Sequence, residues 1–277
     1  MVVSLKISIS TQSSTVSKTL SPWFALSLCT LGYIGVTNDP AFAQVTSDGT
    51  VNTQVTENGN TAEITGGETR GNNLFHSFED FSVETGNEAF FNNADSISDI
   101  FSRVTGGNVS DINGAIRANG SANLFLINPA GIIFGENASL NIGGSFYGSS
   151  ASSILFEDGE FSATDLDNPP LLTVNAPIGL GFRDNPAPIE NNSKADAGSD
   201  PAGVSGYFGL RVPDGKSFAL AGGDITANGG GIVTFGGRID LAAVGGKGTL
   251  GLTSNGDDFS FSFPNDLLRA DVTLTNQ

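Results

Sequence analysis

The chain has 277 residues, with 12 Lys and Arg against 29 Asp and Glu and a formal net charge of −17. That balance repels a phosphate backbone and an anionic bilayer, which argues against nucleic acid and anionic lipid as partners. Only 15% of residues are charged, while glycine numbers 37 and phenylalanine 20. This mix excludes a helical bundle of Ala, Leu, Glu and Lys as well as a disordered chain, and leaves a glycine-rich β protein with many turns.

Residues 1–43 read as a signal peptide. Lys6 and Lys18 precede a mostly apolar run at 20–36, and Ala41-Phe42-Ala43-Gln44 supplies a small-residue cleavage pattern. Cleavage after Ala43 leaves a domain at 44–277 without cysteine, because Cys29 is the only one in the chain. Packing and ladder hydrogen bonds, not disulfides, are then expected to hold the fold. No later run reaches 18 consecutive apolar residues, so no membrane-spanning helix is expected there.

From Gln44 onward, strand-length runs alternate with turn formers. Examples are Asn123-Leu124-Phe125-Leu126-Ile127, Gly131-Ile132-Ile133-Phe134, Ser139-Leu140-Asn141-Ile142, Leu172-Thr173-Val174 and Asp271-Val272-Thr273-Leu274. Between two of these, Asn128-Pro129-Ala130-Gly131-Ile132 predicts a tight turn, with Pro129 fixing φ and Gly131 taking an unusual one. Residues 157–170 and 183–203 have loop composition and are expected to be excursions from the core.

The segment 216–241 carries a period. Phe218, Ile225, Ile232 and Ile239 are seven residues apart, and so are the pairs Gly222-Gly223, Gly229-Gly230 and Gly236-Gly237. A helical heptad is excluded, since each glycine costs a helix about 1 kcal/mol. Short strands with glycine corners remain, and three such units make a 21-residue coil with three faces. That is a parallel β-solenoid, with Phe218, Ile225, Ile232 and Ile239 as its inward stack. A β-sandwich of repetitive hairpins is the competing architecture, but it does not call for a shared period of apolar and glycine positions.

Candidates for chemistry are few. His76, the only histidine, lies among aromatics in Leu74-Phe75-His76-Ser77-Phe78 and reads as structural. Two-histidine metal sites and Ser-His-Asp constellations find no support. Asp257-Asp258 reads as a turn, Asp165 and Asp167 as loop residues, and the remaining acids as a solvated face. Catalytic, metal and cofactor-binding residues are therefore all expected to be absent. The rival reading is a β-helical carbohydrate-active enzyme acting on polysaccharide, which requires three or more carboxylates gathered on one face.

A longer block is more specific. It begins Gly71-Asn72-Asn73-Leu74-Phe75-His76-Ser77-Phe78-Glu79-Asp80-Phe81 and continues through Ser102-Arg103-Val104-Thr105-Gly106-Gly107. It ends in Ala122-Asn123-Leu124-Phe125-Leu126-Ile127-Asn128-Pro129-Ala130-Gly131-Ile132-Ile133-Phe134-Gly135. This strongly resembles the amino-terminal two-partner secretion domain of filamentous-haemagglutinin-like exoproteins, in the form common in cyanobacteria. Val174-Asn175-Ala176-Pro177-Ile178-Gly179-Leu180-Gly181-Phe182 and the segment 220–241 are similar to later parts of such chains.

The resemblance implies an all-β, right-handed parallel β-helix of the pectin-lyase type with an amino-terminal β cap. It also implies export by the Sec machinery, capture by an outer-membrane β-barrel transporter with POTRA domains, and folding outside the cell. The product is then secreted or held at the cell surface, with an adhesin role and a surface glycan or host-cell receptor as its candidate ligand. Asn128, Pro129, Gly131 and Ile132 match the family's N-P-N-G-I motif with Ala130 replacing Asn, which makes them candidates for transporter recognition. The N-P-N-L motif has no match; Ser110-Asp111-Ile112-Asn113-Gly114 stands where it would fall. The sequence stops three residues after Leu274 without a polar cap, so a truncated exoprotein or a last coil paired with a partner is expected.

Overall fold

The computed structural model describes residues 45–275 apart from Pro169 and Asp257. The expected signal peptide at 1–43 lies outside the described residues. Short apolar strands separated by turns coil the chain into a three-faced prism, and the described residues contain no helix.

The first face stacks Asn73–Phe81, Asp99–Val104, Asn123–Ile127, Phe146–Ser149, Phe218–Gly222 and Ile239–Ala243, all parallel. One register column runs Leu74, Ile100, Leu124, Phe146, Phe218, Ile239. The second face stacks Ser110–Ile112, Ile132–Phe134, Ile189–Asn191, Ile225–Asn228 and Val272–Thr275. The third stacks Thr61–Gly66, Glu88–Phe91, Ala115–Ala118 and Ser139–Asn141, followed by a separate parallel pair, Leu210–Arg211 with Ile232–Val233. Phe218 pairs with Ile239, so that coil closes in the expected 21 residues. The fold is the parallel β-helix that the sequence predicts.

The amino-terminal end is capped by antiparallel strands. Val45–Ser47 and Glu68–Arg70 pair with the first-face strand Asn73–Phe81, and Thr53–Asn58 pairs with Thr61–Gly66. At Gly229-Gly230 and Gly236-Gly237 the two glycines of a corner divide the labour, whereas neither Gly222 nor Gly223 takes a positive φ. Gly229 takes φ +68°, and Gly230 packs against the Asn191 carbonyl of the coil below, where a Cβ would collide.

Two long excursions leave after the first-face strands Phe146–Ser149 and Ile239–Ala243, and return at the second-face strands Ile189–Asn191 and Val272–Thr275. Between them they build a five-stranded antiparallel sheet, ordered Gly159–Ser162, Ser153–Phe156, Gly179–Phe182, Gly248–Asn255, Asp258–Ser262. This sheet covers the outer side of the first face. The protein therefore has two cores. The inner one fills the prism with residues such as Leu124, Leu126, Ile132, Phe146 and Phe218. The outer one lies under the covering sheet.

In the outer core, Phe75, Phe101, Phe125 and Tyr147 form a stacked row with centroid spacings of 5.2, 4.9 and 4.4 Å. Phe161, Phe156 and Phe259 of the covering sheet meet that row edge-on. Such pairs add about 0.5–1.5 kcal/mol each beyond their buried area. Strands covered on both sides need no polar alternation, which is why Asn123–Ile127 and Phe218–Gly222 are buried throughout.

Four expectations need correction. Residues 157–170 are not all loop, because Gly159–Ser162 is the edge strand of the covering sheet. Residues 183–203 contain the coil strand Ile189–Asn191, whose Ile189 pairs with Ile132 and Ile225 and is fully buried. Three residues between Pro188 and Asn192 are too few to show a period. Conversely, Leu172-Thr173-Val174 forms no strand, and Val174 is exposed. Finally, Ile239 does not join the buried stack. It is 44% exposed, because its strand is the last of the first face and no described strand lies over it.

Candidate functional site

The turn at 128–132 joins the first face to the second. The Gly131 amide donates to the Asn128 carbonyl at 2.9 Å, closing a β-turn, and the Ala130 amide donates to Asn128 Oδ1 at 2.9 Å. Asn128 Nδ2 donates to the Asn108 carbonyl (2.8 Å) and to Ser110 Oγ (2.9 Å), and its own amide donates to the Ser149 carbonyl. Asn128 thus ties three successive coils while wholly buried. Gly131 has φ +107°, and a Cβ there would stand 2.8 Å from the Pro188 carbonyl. Ile132 points into the inner core, whereas Pro129 and Ala130 are half-buried.

The four residues at heptad spacing are distributed around one coil. Phe218 begins a first-face strand, Ile225 a second-face strand and Ile232 the short strand after it; Ile239 returns to the first face. Phe218 and Ile225 are buried, Ile232 is half-buried against the inner core, and Ile239 is the exposed exception.

Two polar ties escaped the sequence reading. In the first, Arg103 is 1% exposed. Its Nε donates to Ser77 Oγ at 2.8 Å, one terminal nitrogen donates to Thr50 Oγ1 at 2.8 Å, and the other donates to the Ser162 carbonyl. Ser77 Oγ donates in turn to Asp48 Oδ2 at 2.5 Å, and Thr105 Oγ1 donates to the same oxygen at 2.9 Å. Burial pushes the Asp48 carboxyl up, but the Ser77, Thr50 and Thr105 donors outweigh it and hold the group below the ordinary value. Burial lowers Arg103, opposed by the charge of Asp48. The network joins cap, first face and covering sheet. Its only sequence signal is an arginine close to Ile100, Phe101 and Val104 in the strand Asp99–Val104.

In the second tie, Asp258 closes the expected turn at 255–258, paired with Asn255 as the first residue of a covering-sheet strand. It accepts hydrogen bonds from Ser145 Oγ at 2.7 Å, from Tyr147 Oη and from Ser217 Oγ. Burial raises its carboxyl, and these hydroxyls with the Phe259 amide more than reverse that. Tyr147 is raised, first by burial and then by Asp258. His76 is buried beside Phe78 and Phe91 with Nδ1 3.2 Å from Thr53 Oγ1, and burial lowers it to about 3. Among the described residues, no three His, Cys, Asp or Glu side chains gather to hold a metal ion.

The chain matches the family model described as the TPS secretion domain over residues 43–277. It is 39% identical over 72 residues to the heme/hemopexin-binding protein of Haemophilus influenzae, a stretch covering 26% of this chain and 7% of that protein. Among solved structures it is similar to the HMW1 secretion domain of Haemophilus influenzae, with a TM-score of 0.53 and 19% identity, over 83% of this chain and 50% of that one. The chain thus spans a small fraction of the curated relative and half of the solved domain. The structural likeness speaks for the fold.

Proposed function

Because the chain belongs to the family of TPS secretion domains, we propose that it is the part of an exoprotein that an outer-membrane transporter recognises and that folds into a β-helix on leaving it. The single observation that carries this reading is the family match across 43–277 on a chain with the coil architecture. In this reading the Sec machinery delivers the chain to the periplasm through the segment 1–43. A strand of the unfolded chain then pairs with a sheet edge of the transporter's POTRA domains. The role is binding and folding, without catalysis, and the product is secreted or stays at the cell surface.

Absence of cysteine from 44–277 suits passage as an unfolded chain. Each coil laid on its predecessor buries apolar surface at about 25 cal/mol per Å², a one-way step that needs no ATP. Asn128 and Ile132 offer no surface once folded, so a transporter would read them in a chain that has not yet coiled. The test mixes 44–277, diluted from urea, with the POTRA region of its cognate barrel and compares the prefolded chain. Capture of the unfolded chain, weakened at least tenfold in Asn128→Ala, is expected. No capture of either form overturns the reading.

A further inference from the structure

The chain contains five asparagine–glycine steps: Asn58-Gly59, Asn113-Gly114, Asn119-Gly120, Asn228-Gly229 and Asn255-Gly256. Asparagine is a thermolabile residue, and a following glycine exposes it further. With no Cβ in the way, the glycine amide nitrogen can approach the side-chain carbonyl carbon of the asparagine before it. The approach needs a side chain free to swing and an amide N–H turned to water. A hydrogen bond on either group opposes it, because the bond must first be given up.

Four of the five steps are held in this way. Asn113 Nδ2 donates to Thr85 Oγ1 at 2.8 Å, and its Oδ1 accepts from the Asn137 amide at 2.9 Å. Asn119 Nδ2 donates to Asn92 Oδ1 at 2.9 Å. Asn228 Oδ1 accepts from Thr275 Oγ1 at 2.9 Å, and the Gly229 amide donates to the Thr275 carbonyl at 2.8 Å. Asn255 Nδ2 donates to Ser260 Oγ at 2.9 Å.

Asn58 differs. It ends the cap strand Thr53–Asn58 and pairs with Thr61 across the two-residue turn Gly59-Asn60. That strand is the edge of its sheet, so only one neighbour holds it. Asn58 is exposed, and among the described residues neither its side chain nor the Gly59 amide has a hydrogen-bond partner. Gly59 takes φ +63°, and nothing lies within 4 Å of where its Cβ would stand, so water reaches the turn.

We propose that Asn58 is a site of spontaneous deamidation. The Gly59 nitrogen gives its proton to solvent base and attacks Asn58 Cγ, forming a C–N bond. Nδ2 takes up a proton and leaves as ammonia. Water then opens the five-membered imide at either carbonyl, giving an aspartyl or an isoaspartyl residue. The net change is one water gained and one ammonia lost, with nothing oxidised or reduced. The product adds a carboxylate beside Glu57, and its isoaspartyl form lengthens the main chain by one carbon at the closing pair with Thr61. The cap hairpin is thus where the folded protein ages first, a property that does not rest on the transport reading.

The test incubates folded 44–277 at mildly alkaline pH in heavy-oxygen water, digests it with trypsin and follows the exchange of NH2 for OH by mass. Conversion in the fragment 44–70, placed at Asn58 by further fragmentation, runs at least tenfold faster than at each of the other four steps. In urea the five rates converge to within threefold, since the protecting bonds are gone. Asn58→Gln abolishes conversion at that position. Ser260→Ala, which frees Asn255 and leaves the cap hairpin untouched, speeds conversion at Asn255 at least threefold. Three results overturn the proposal: a folded chain in which another step keeps pace with Asn58, a folded chain that spares Asn58 while the unfolded one converts it, or an unchanged rate at Asn255 in Ser260→Ala.

Discussion

Phe218 and Ile239 are register partners in adjacent parallel strands of the first face, yet Phe218 is fully buried and Ile239 is 44% exposed. Equivalent places in a repeat are therefore unequal in energy, because burial depends on whether another coil lies above. Ile225→Ala is expected to cost about 2–5 kcal/mol, as for other large-to-small core changes. Ile239→Ala should cost less than about 1 kcal/mol. Urea unfolding of the two variants checks this, and equal losses would contradict it.

Arg103 is the buried cation that joins three parts of the molecule. Arg103→Met keeps the bulk and removes the charge, leaving Ser77 Oγ, Thr50 Oγ1 and the Ser162 carbonyl short of a donor and Asp48 without its neighbouring cation. The expected loss is about 3–5 kcal/mol, the range for breaking a buried charged network on one side. Arg103→Lys, which cannot reach three acceptors in a plane, should recover only part of it. Denaturant midpoints at neutral pH give the ordering.

Asp258 and Tyr147 fasten the covering sheet to the first face. Asp258→Asn and Tyr147→Phe should each cost about 1–3 kcal/mol, because a buried partner is left unsatisfied. The double variant should lose less than the sum of the two single variants. Additive losses would mean that the two side chains do not act together.

His76 makes stability depend on pH in a definite window. Its folded value of about 3 lies below the ordinary 6.5, so the unfolded chain binds a proton that the folded one refuses. Stability is complete above pH 6.5 and falls as pH drops from there towards 3, at about 1.4 kcal/mol per pH unit for one proton. Asp48 and Asp258 act in the same direction at lower pH, since both are held below the ordinary 3.8. In His76→Leu the slope between pH 6.5 and 4.5 should vanish even if stability at neutral pH drops. Guanidinium unfolding at half-unit pH steps measures it.

Gly131 permits the turn that Asn128 fastens. Gly131→Ala places a Cβ against the Pro188 carbonyl at φ +107° and should cost about 1–3 kcal/mol or more. Pro129→Ala should cost about 1 kcal/mol or less, since Pro129 contributes chiefly by restricting the unfolded chain. Comparable losses in both would show that strain at Gly131 is not what shapes this corner.

The heptad of Phe218, Ile225 and Ile232 made the coil legible, because side chain and corner glycine recur together within one uninterrupted turn of the prism. The run Asn123-Leu124-Phe125-Leu126-Ile127 was legible as a strand, but not as one covered on both sides. Continuous apolarity has that meaning only when the covering element is known. That element comes from two segments far apart in sequence, 153–182 and 248–262, and no local pattern links them. Ile189–Asn191 was hidden by brevity between Pro188 and Asn192. Arg103 and Asp258 were hidden because hydrogen-bond partners, not composition, distinguish a buried charge from a solvated one.

The two excursions that build the covering sheet meet where Gly179–Phe182 pairs with Gly248–Gly251. That junction cannot be made until the later hairpin has arrived. Until then the Phe125 and Tyr147 end of the column of rings, which Phe259 of that hairpin covers, lies bare along one flank of a prism that is otherwise wound. Assembly therefore has two stages: a winding that can advance coil by coil, and a zipping-up that waits for sequence almost at the far end. A chain halted between them would be a rigid rod with a greasy seam, and that seam is where such an intermediate would be sticky.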